Sequence, residues 1–346
     1  MRRFLPRTIA AGGLAALAAL LTPSVRASSY RLDYEVQPQI VGTIDSTPSG
    51  TFYDTPRGVG YDGVVELLIT KSGVTSICSG ALIANGWSVL TAGHCVTNTA
   101  GQVTASRVQV VFLPTPSGST TYDSTSTPMT VLAHPGWTGD VYVGNDLALV
   151  NLSRAAPTGT QSYGLYSAAN ELAQTYDVVG FGRRGAGATG AVAGTSGSRR
   201  HGGNTWDGTL EDMADAGLGV PANPNILLSD FDDGLAAHDG WGFFFGVHDL
   251  GLGSNEVSTA PGDSGGPTFL NGYVAGITSF DLRLSATGGL TSDVDGTLNA
   301  SFGEFNGMTR VSSYADWIED NTVPEPGTLT LAAFGLLALG YRRFRR

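Results

Sequence analysis

This sequence has little charge, and much of its positive charge lies at the two ends. Charged residues make up 14% of the chain, where about 25% is usual, and Lys71 is its one lysine. Between the ends, residues 28–323 carry 11 basic against 29 acidic residues, a net charge of −18. This excess of acidic groups excludes a nucleic-acid partner, because phosphates attract basic surfaces.

Helical periodicity is also scarce. Only residues 314–319, near the end, look helical, and residues 28–57 are predicted to form an irregular arm or pro-segment. Elsewhere, short apolar runs are separated by turn residues, a pattern typical of an all-β sandwich or barrel. Residues 115–128 and 185–203 are predicted loops. The apolar runs span residues 64–70, 88–91, 108–113, 129–133, 147–152, 177–179, 272–279 and 308–311.

The first 27 residues have the pattern of a secretory signal peptide. Three arginines lie within the first seven residues, residues 9–21 are apolar, and small residues flank Arg26. The apolar stretch is shorter than the roughly 20 residues that span a membrane. We therefore expect export and cleavage by signal peptidase after Ala27.

The last residues, 321–346, form a second targeting segment. Pro324, Glu325 and Pro326 precede an apolar stretch, 328–341, and a basic end. This order resembles the PEP-CTERM sorting signal of Gram-negative bacteria. The resemblance implies an exosortase-type partner, transient membrane contact through the tail helix, and delivery to the cell surface or the extracellular space. An ordinary membrane-anchoring helix is the alternative.

Cysteine occurs twice, at Cys78 and Cys95. In an exported protein, two cysteines 17 residues apart predict one disulfide bond.

Three residues carry the clearest chemical signal. Residues 262–267 read Gly-Asp-Ser-Gly-Gly-Pro, and the glycines let the backbone turn so that Ser264 is exposed. A serine nucleophile needs a base and a carboxylate that orients the base. His94, beside Cys95, and Asp146, before an apolar run, supply these two groups.

These motifs, in the order His, Asp, Ser, resemble those of trypsin/chymotrypsin-like serine proteases. The resemblance implies two antiparallel β-barrels followed by a short C-terminal helix, with the protease domain at residues 58–320. It also implies hydrolysis of protein or peptide substrates by the triad, with the N–H groups of Gly262 and Ser264 as the oxyanion hole, without a cofactor. A non-catalytic cell-surface adhesion or binding protein on the same fold is the alternative.

The same resemblance assigns substrate binding to Ser258, Ser279 and Phe280. A small, neutral Ser258 at the base of the pocket favours cleavage after apolar or aromatic residues. Glu256 or Asp281 would instead favour basic residues if either reached the pocket, and a narrow pocket for small residues is the third alternative.

Two further features stay open. The family pairs a new N-terminal amine with the acid before the nucleophile, here Asp263. The sequence Ile-Val-Gly at residues 40–42 fits such a terminus but lies far upstream, and Arg-Gly-Val-Gly at residues 57–60 is closer but fits less well. The acidic stretch 230–233 offers several carboxylates on a turn, as Ca²⁺ sites do, but it lacks the twelve-residue Ca²⁺-loop pattern that ends in Glu. We therefore interpret it as a solvated loop and predict no metal site, with Ca²⁺ binding as the alternative.

Overall fold

The structure is a computed structural model that describes residues 30–35, 40–44, 51–113 and 118–323. The predicted signal peptide and the sorting tail from residue 324 onward lie outside these residues. Within the described residues, no helix is long and apolar enough to cross a membrane.

The described residues are predominantly β-structure. The strands are β1 Arg31–Glu35, β2 Val41–Gly42, β3 Val64–Lys71, β4 Val74–Ile83, β5 Ser88–Thr91, β6 Ala105–Phe112, β7 Thr120–Asp123, β8 Met129–Ala133, β9 Ala148–Leu152, β10 Thr175–Gly180, β11 Gly185–Ala186, β12 Gly190–Ala191, β13 Arg200–Thr205, β14 Gly208–Thr209, β15 Ile226–Asp230, β16 Val257–Ser258, β17 Pro267–Leu270, β18 Tyr273–Ser285 and β19 Phe305–Arg310. The α-helices are α1 Gly93–Val96, α2 Leu210–Asp215, α3 Gly240–Phe245 and α4 Ala315–Asn321.

The N-terminal half forms one antiparallel sheet in the order β7-β6-β3-β4-β5-β9-β8. Apolar residues of β3 alternate with more exposed ones, so Val65, Leu67 and Ile69 are fully buried. Ser72 and Gly73, both at positive φ, form the tight turn from β3 to β4. This alternation is what buries one face of a sheet.

The C-terminal half forms a second antiparallel sheet in the order β13-β10-β17-β18-β19-β15-β14, and β1 pairs with β18. Tyr176 and Trp206 stack at 4.3 Å between ring centroids in its core. Helix α4 follows this sheet but packs back on the first one, where Ile318 is fully buried. These features confirm the predicted all-β class and the short C-terminal helix.

Strands lie within two predicted loops, and some of these strands form a small third sheet in the order β12-β11-β2-β16. Residues 185–203 were predicted to be a loop, but they contain β11, β12 and the start of β13. Strand β7 likewise lies within the predicted loop 115–128. The backbone pairing of these polar and glycine-rich strands, rather than apolar periodicity, defines them. The predicted irregular arm, 28–57, contains β1 and β2.

The acidic stretch after β15 also differs from its prediction. Asp230 and Asp232 are 3% and 2% exposed, so the interpretation as a solvated loop is wrong for both residues.

A disulfide bond joins Cys78 on β4 to Cys95 in α1, with the Cα atoms 6.4 Å apart. Replacing both cysteines with Ala should lower the free energy of unfolding by about 3 kcal/mol, because the closed loop restricts the unfolded chain. Urea unfolding of the exported protein measures this loss. An unchanged urea midpoint with an unchanged slope would contradict the expectation.

Candidate active site

Ser264 lies in a tight loop between β16 and β17. Gly262 and Gly265 have φ values of 114° and 78°, a region that residues with a side chain rarely adopt. A Cβ atom on Gly265 would also lie 2.0 Å from Oγ1 of Thr91. Both glycines are therefore needed for the turn that presents Ser264.

Ser79 on β4 holds this loop against the N-terminal sheet. Its N–H donates to the Ser264 carbonyl at 2.8 Å, and its hydroxyl donates to the Gly262 carbonyl at 2.9 Å. The same hydroxyl accepts from the N–H of Phe181 at 3.0 Å. Ser79 is fully buried, so it is a fixed connection between the two halves.

His94 is oriented by two hydrogen bonds to Asp146. The backbone N–H of His94 donates to Oδ1 at 2.8 Å, and Nδ1 lies 2.7 Å from Oδ2. The side chain of Asp146 is 1% exposed and that of His94 is 15% exposed. With Nδ1 donating to the carboxylate, Nε2 is the nitrogen left to accept a proton.

Asp146 receives a third donor from the C-terminal sheet. The Ser279 hydroxyl donates to Oδ2 at 2.5 Å. Ser279 lies where the pairing of β18 with β19 shifts register, and such a bulge redirects a side chain. Three donors satisfy a buried carboxylate that would otherwise be costly to keep charged.

Two neighbours hold the backbone around the pair. Asn145, at φ 62°, donates its N–H to the Tyr314 hydroxyl at 3.2 Å. Lys71 Nζ donates to the carbonyls of His94 and Thr97 at 2.8 and 3.0 Å. Burial lowers the pKa of Lys71, and the charge of Asp146 opposes this shift.

His94 and Ser264 line one cleft of about 670 Å³ between the two halves, together with Trp137, Arg183 and the disulfide. Within the described residues the Ser264 hydroxyl makes no hydrogen bond. Catalytic hydrogen bonds often tighten only when substrate is bound. The structure thus places His94 and Ser264 in one cleft, with His94 already paired to the buried Asp146.

The predicted oxyanion donors lie in the same loop. Among the described residues, the N–H groups of Gly262 and Ser264 have no protein acceptor. Backbone donors of this kind can receive the negative charge that develops on a carbonyl oxygen during acyl transfer.

The residues predicted to bind substrate are all buried. Ser258, Ser279 and Phe280 are 1%, 2% and 0% exposed. The Ser258 hydroxyl donates to Oδ1 of Asn306 at 3.0 Å, and the Ser279 hydroxyl donates to Asp146. Their role in substrate binding stays a prediction.

The two acids that could change the pocket, Glu256 and Asp281, are both buried and hydrogen-bonded. Thr259 Oγ1 donates to Oδ1 of Asp281 at 2.9 Å, and Asp281 lines a cavity of about 100 Å³ with Arg183 and Pro261. The Glu256 carboxylate accepts from two backbone N–H groups, of Asp232 and Leu252, at 2.6 and 2.5 Å.

The sequence analysis missed the roles of Ser79 and Asn306 and the contact of Ser279 with Asp146. Ser79 and Ser279 were visible only as parts of family-like motifs, beside Cys78 and Phe280. Asn306 had no local signal, since its partners Ser258 and Thr259 are 48 and 47 residues away in the chain.

Two family models match parts of this chain. Residues 59–217 match the Trypsin family model, a range that includes His94 and Asp146 and ends before Ser264. Residues 322–346 match the PEP-CTERM protein-sorting motif. No curated protein matches the chain.

Solved structures show the fold. The structure of HL collagenase has a TM-score of 0.52 and 21% sequence identity, over 78% of this chain and 96% of that one. This likeness confirms the predicted chymotrypsin-like fold.

The contact between Ser279 and Asp146 gives a test of the site. The Ser279→Ala variant should slow labelling of Ser264 by a fluorophosphonate probe roughly 10- to 100-fold, because a hydrogen bond to a charged group is worth about 1.5–3 kcal/mol. The control is Ser285→Ala on the same strand, whose hydroxyl contacts the Arg31 carbonyl at 3.5 Å. Equal labelling rates in the two variants would show that the contact does not support His94.

Proposed function

We propose that this chain, which carries a trypsin-like domain on a chymotrypsin-like fold, is an exported serine endopeptidase. The observation that carries the proposal is that His94, hydrogen-bonded to the buried Asp146, lines one cleft with Ser264. The proposed reaction is hydrolysis of a peptide bond through an acyl-enzyme intermediate.

In the first half of the reaction, His94 Nε2 takes the proton of Ser264 as Oγ attacks the scissile carbonyl. Asp146 keeps the imidazole in the required tautomer and stabilises the imidazolium that forms. The N–H groups of Gly262 and Ser264 receive the negative charge on the carbonyl oxygen. His94 then gives its proton to the leaving amine.

In the second half, water replaces the amine. His94 takes a proton from the water, the resulting hydroxide attacks the acyl carbon, and Ser264 leaves with the proton. Each step uses side chains and backbone groups of this chain, so the proposed mechanism requires no cofactor.

Export follows from the tail. The PEP-CTERM motif indicates export in a Gram-negative bacterium. We propose further that signal peptidase removes residues 1–27, that an exosortase-type enzyme removes the tail, and that the mature enzyme acts at the cell surface or outside the cell.

We also propose that the enzyme is activated by a cut before Ile40. Ile40 and Val41 are fully buried, and Val41 pairs with Ser258 in the small sheet. Because both residues are buried and Val41 is paired, a new N-terminus at Ile40 would keep its position after the cut.

Asp263 supports this proposal. Its Oδ1 accepts from the N–H of Gly182 at 3.0 Å, but its Oδ2 is buried without a partner. Burial raises the pKa of Asp263 well above the usual value, and the nearby Arg200 opposes the shift. Arg200 also donates to the Ile40 carbonyl, so Ile40 and Asp263 share one charged neighbour. A new α-amino group at Ile40 would supply the missing charge partner.

The triad is tested by its coupling. The Ser264→Ala and His94→Ala variants should each lower peptide hydrolysis by about 10⁴- to 10⁶-fold, and the double variant should lose little more, since the residues act as a unit. His238→Ala, away from the cleft, is the control. If the processed, folded wild-type protein neither cleaves peptides nor reacts with a fluorophosphonate, the non-catalytic alternative replaces the enzyme.

Activation is tested at the N-terminus. Protein that reacts with a fluorophosphonate probe should begin at Ile40, because the freed amine would stabilise the buried Asp263 carboxylate and thereby the adjacent Ser264. N-terminal peptide mapping of labelled protein measures this. Labelled protein that begins at Ser28 would rule out the cut.

A further inference from the structure

A buried cluster of three carboxylates lies outside the cleft. Asp230 ends β15, Asp232 lies two residues further on, and Asp239 is the N-cap of α3; they are 3%, 2% and 0% exposed. One carboxylate oxygen from each lies within 4.8 Å of the other two. Like charges held this close repel strongly in a dry site unless a cation or protons neutralise them.

Within the described residues, one of the three side chains accepts no hydrogen bond. Asp230 Oδ2 accepts from the N–H of Trp241 at 2.8 Å. Asp239 accepts from the N–H of Gly242 at 2.5 Å and faces Nδ1 of His248 at 2.8 Å. The Asp232 carboxyl has no hydrogen bond within the described residues, and its Oδ1 is fully buried. A buried acid without a partner costs stability, so this oxygen indicates a ligand.

Further negative charge surrounds the three acids. Glu256 accepts from the N–H of Asp232 at 2.6 Å, and Asp207 accepts from the N–H of Asp230 at 3.2 Å. Burial raises the pKa of Asp232 to about 10, and the charge of Asp230 adds to the shift. His248, which pairs with Asp239, is a basic residue at the cluster, but its side chain is 61% exposed.

We infer that Asp230, Asp232 and Asp239 bind a Ca²⁺ ion. Ca²⁺ takes oxygen ligands at about 2.3–2.6 Å, so two of its ligands lie at most roughly 5 Å apart. The spacing of the cluster fits this limit. Mg²⁺ needs shorter distances of about 2.0–2.1 Å and stricter geometry, and Zn²⁺ favours nitrogen and sulfur ligands.

The ion would fix the segment of the chain that leads to Ser258. Glu256 connects Asp232 to β16, which carries Ser258 and pairs with β2. The side chain of Asn204 donates to the Asp230 carbonyl at 2.7 Å and to the Val257 carbonyl at 3.1 Å. Bound Ca²⁺ therefore stabilises both ends of the loop between β15 and β16.

Calorimetric titration and thermal unfolding of the exported, metal-free protein test this site. The proposed activity does not enter either measurement, so failure here and failure of the protease proposal are distinguishable. We expect one Ca²⁺ per chain and a rise in melting temperature of roughly 5 °C at about 100 times the dissociation constant, reversed by a chelator.

The Asp232→Asn variant should fold, since it removes an unpaired acid, and should weaken Ca²⁺ binding at least about 30-fold. Asp215→Asn, which removes an exposed acid at the end of α2, is the control and should bind like the wild type. No binding, an equal response to Mg²⁺ or Zn²⁺ at the same concentration, or full affinity in Asp232→Asn would each overturn the inference.

Discussion

The carboxyl group of Asp146 lies in a place that is almost dry and needs hydrogen-bond donors there, and much of the molecule is arranged around this constraint. Its donors come from both halves: His94 from α1, and Ser279 from the bulge of β18. Neither half alone supplies all of these donors. The interface between the two sheets is thus held together by the same contacts that orient the imidazole.

A second set of contacts joins the halves at Ser264. Ser79, on the N-terminal sheet, bonds the backbone on both sides of Asp263. The disulfide closes the adjoining loop between Cys78 and Cys95. Ser264 and His94 are therefore each attached to β4 or to its covalent partner, which limits how far they can separate.

Buried acids outside the triad show how the same physical cost can indicate function. Asp263 and Asp232 each have a carboxyl oxygen without a partner. For Asp263 the proposed partner is an amine released from this chain, and for Asp232 it is an ion from outside the cell. The two sites are connected through the small sheet, since β16 pairs with β2 and directly follows Glu256 in the chain.

The sequence by itself determined the fold class and the three candidate catalytic residues. Apolar runs of strand length and the short motifs around His94, Asp146 and Ser264 are local, so they can be recognised without knowing what packs beside them. Glycine at 262 and 265 is local in the same sense, because a positive φ restricts the residue type at its own position.

Only the tertiary structure decided which polar groups meet. The contact of Ser279 with Asp146 spans 133 residues, and that of Ser79 with Gly262 spans 183. The strands within residues 185–203 exist through backbone pairing, which leaves no apolar pattern to recognise. The burial of Asp230 and Asp232 likewise depends on elements far away in the chain. Charged residues are typical of solvated loops, and only the packed neighbours exclude the water.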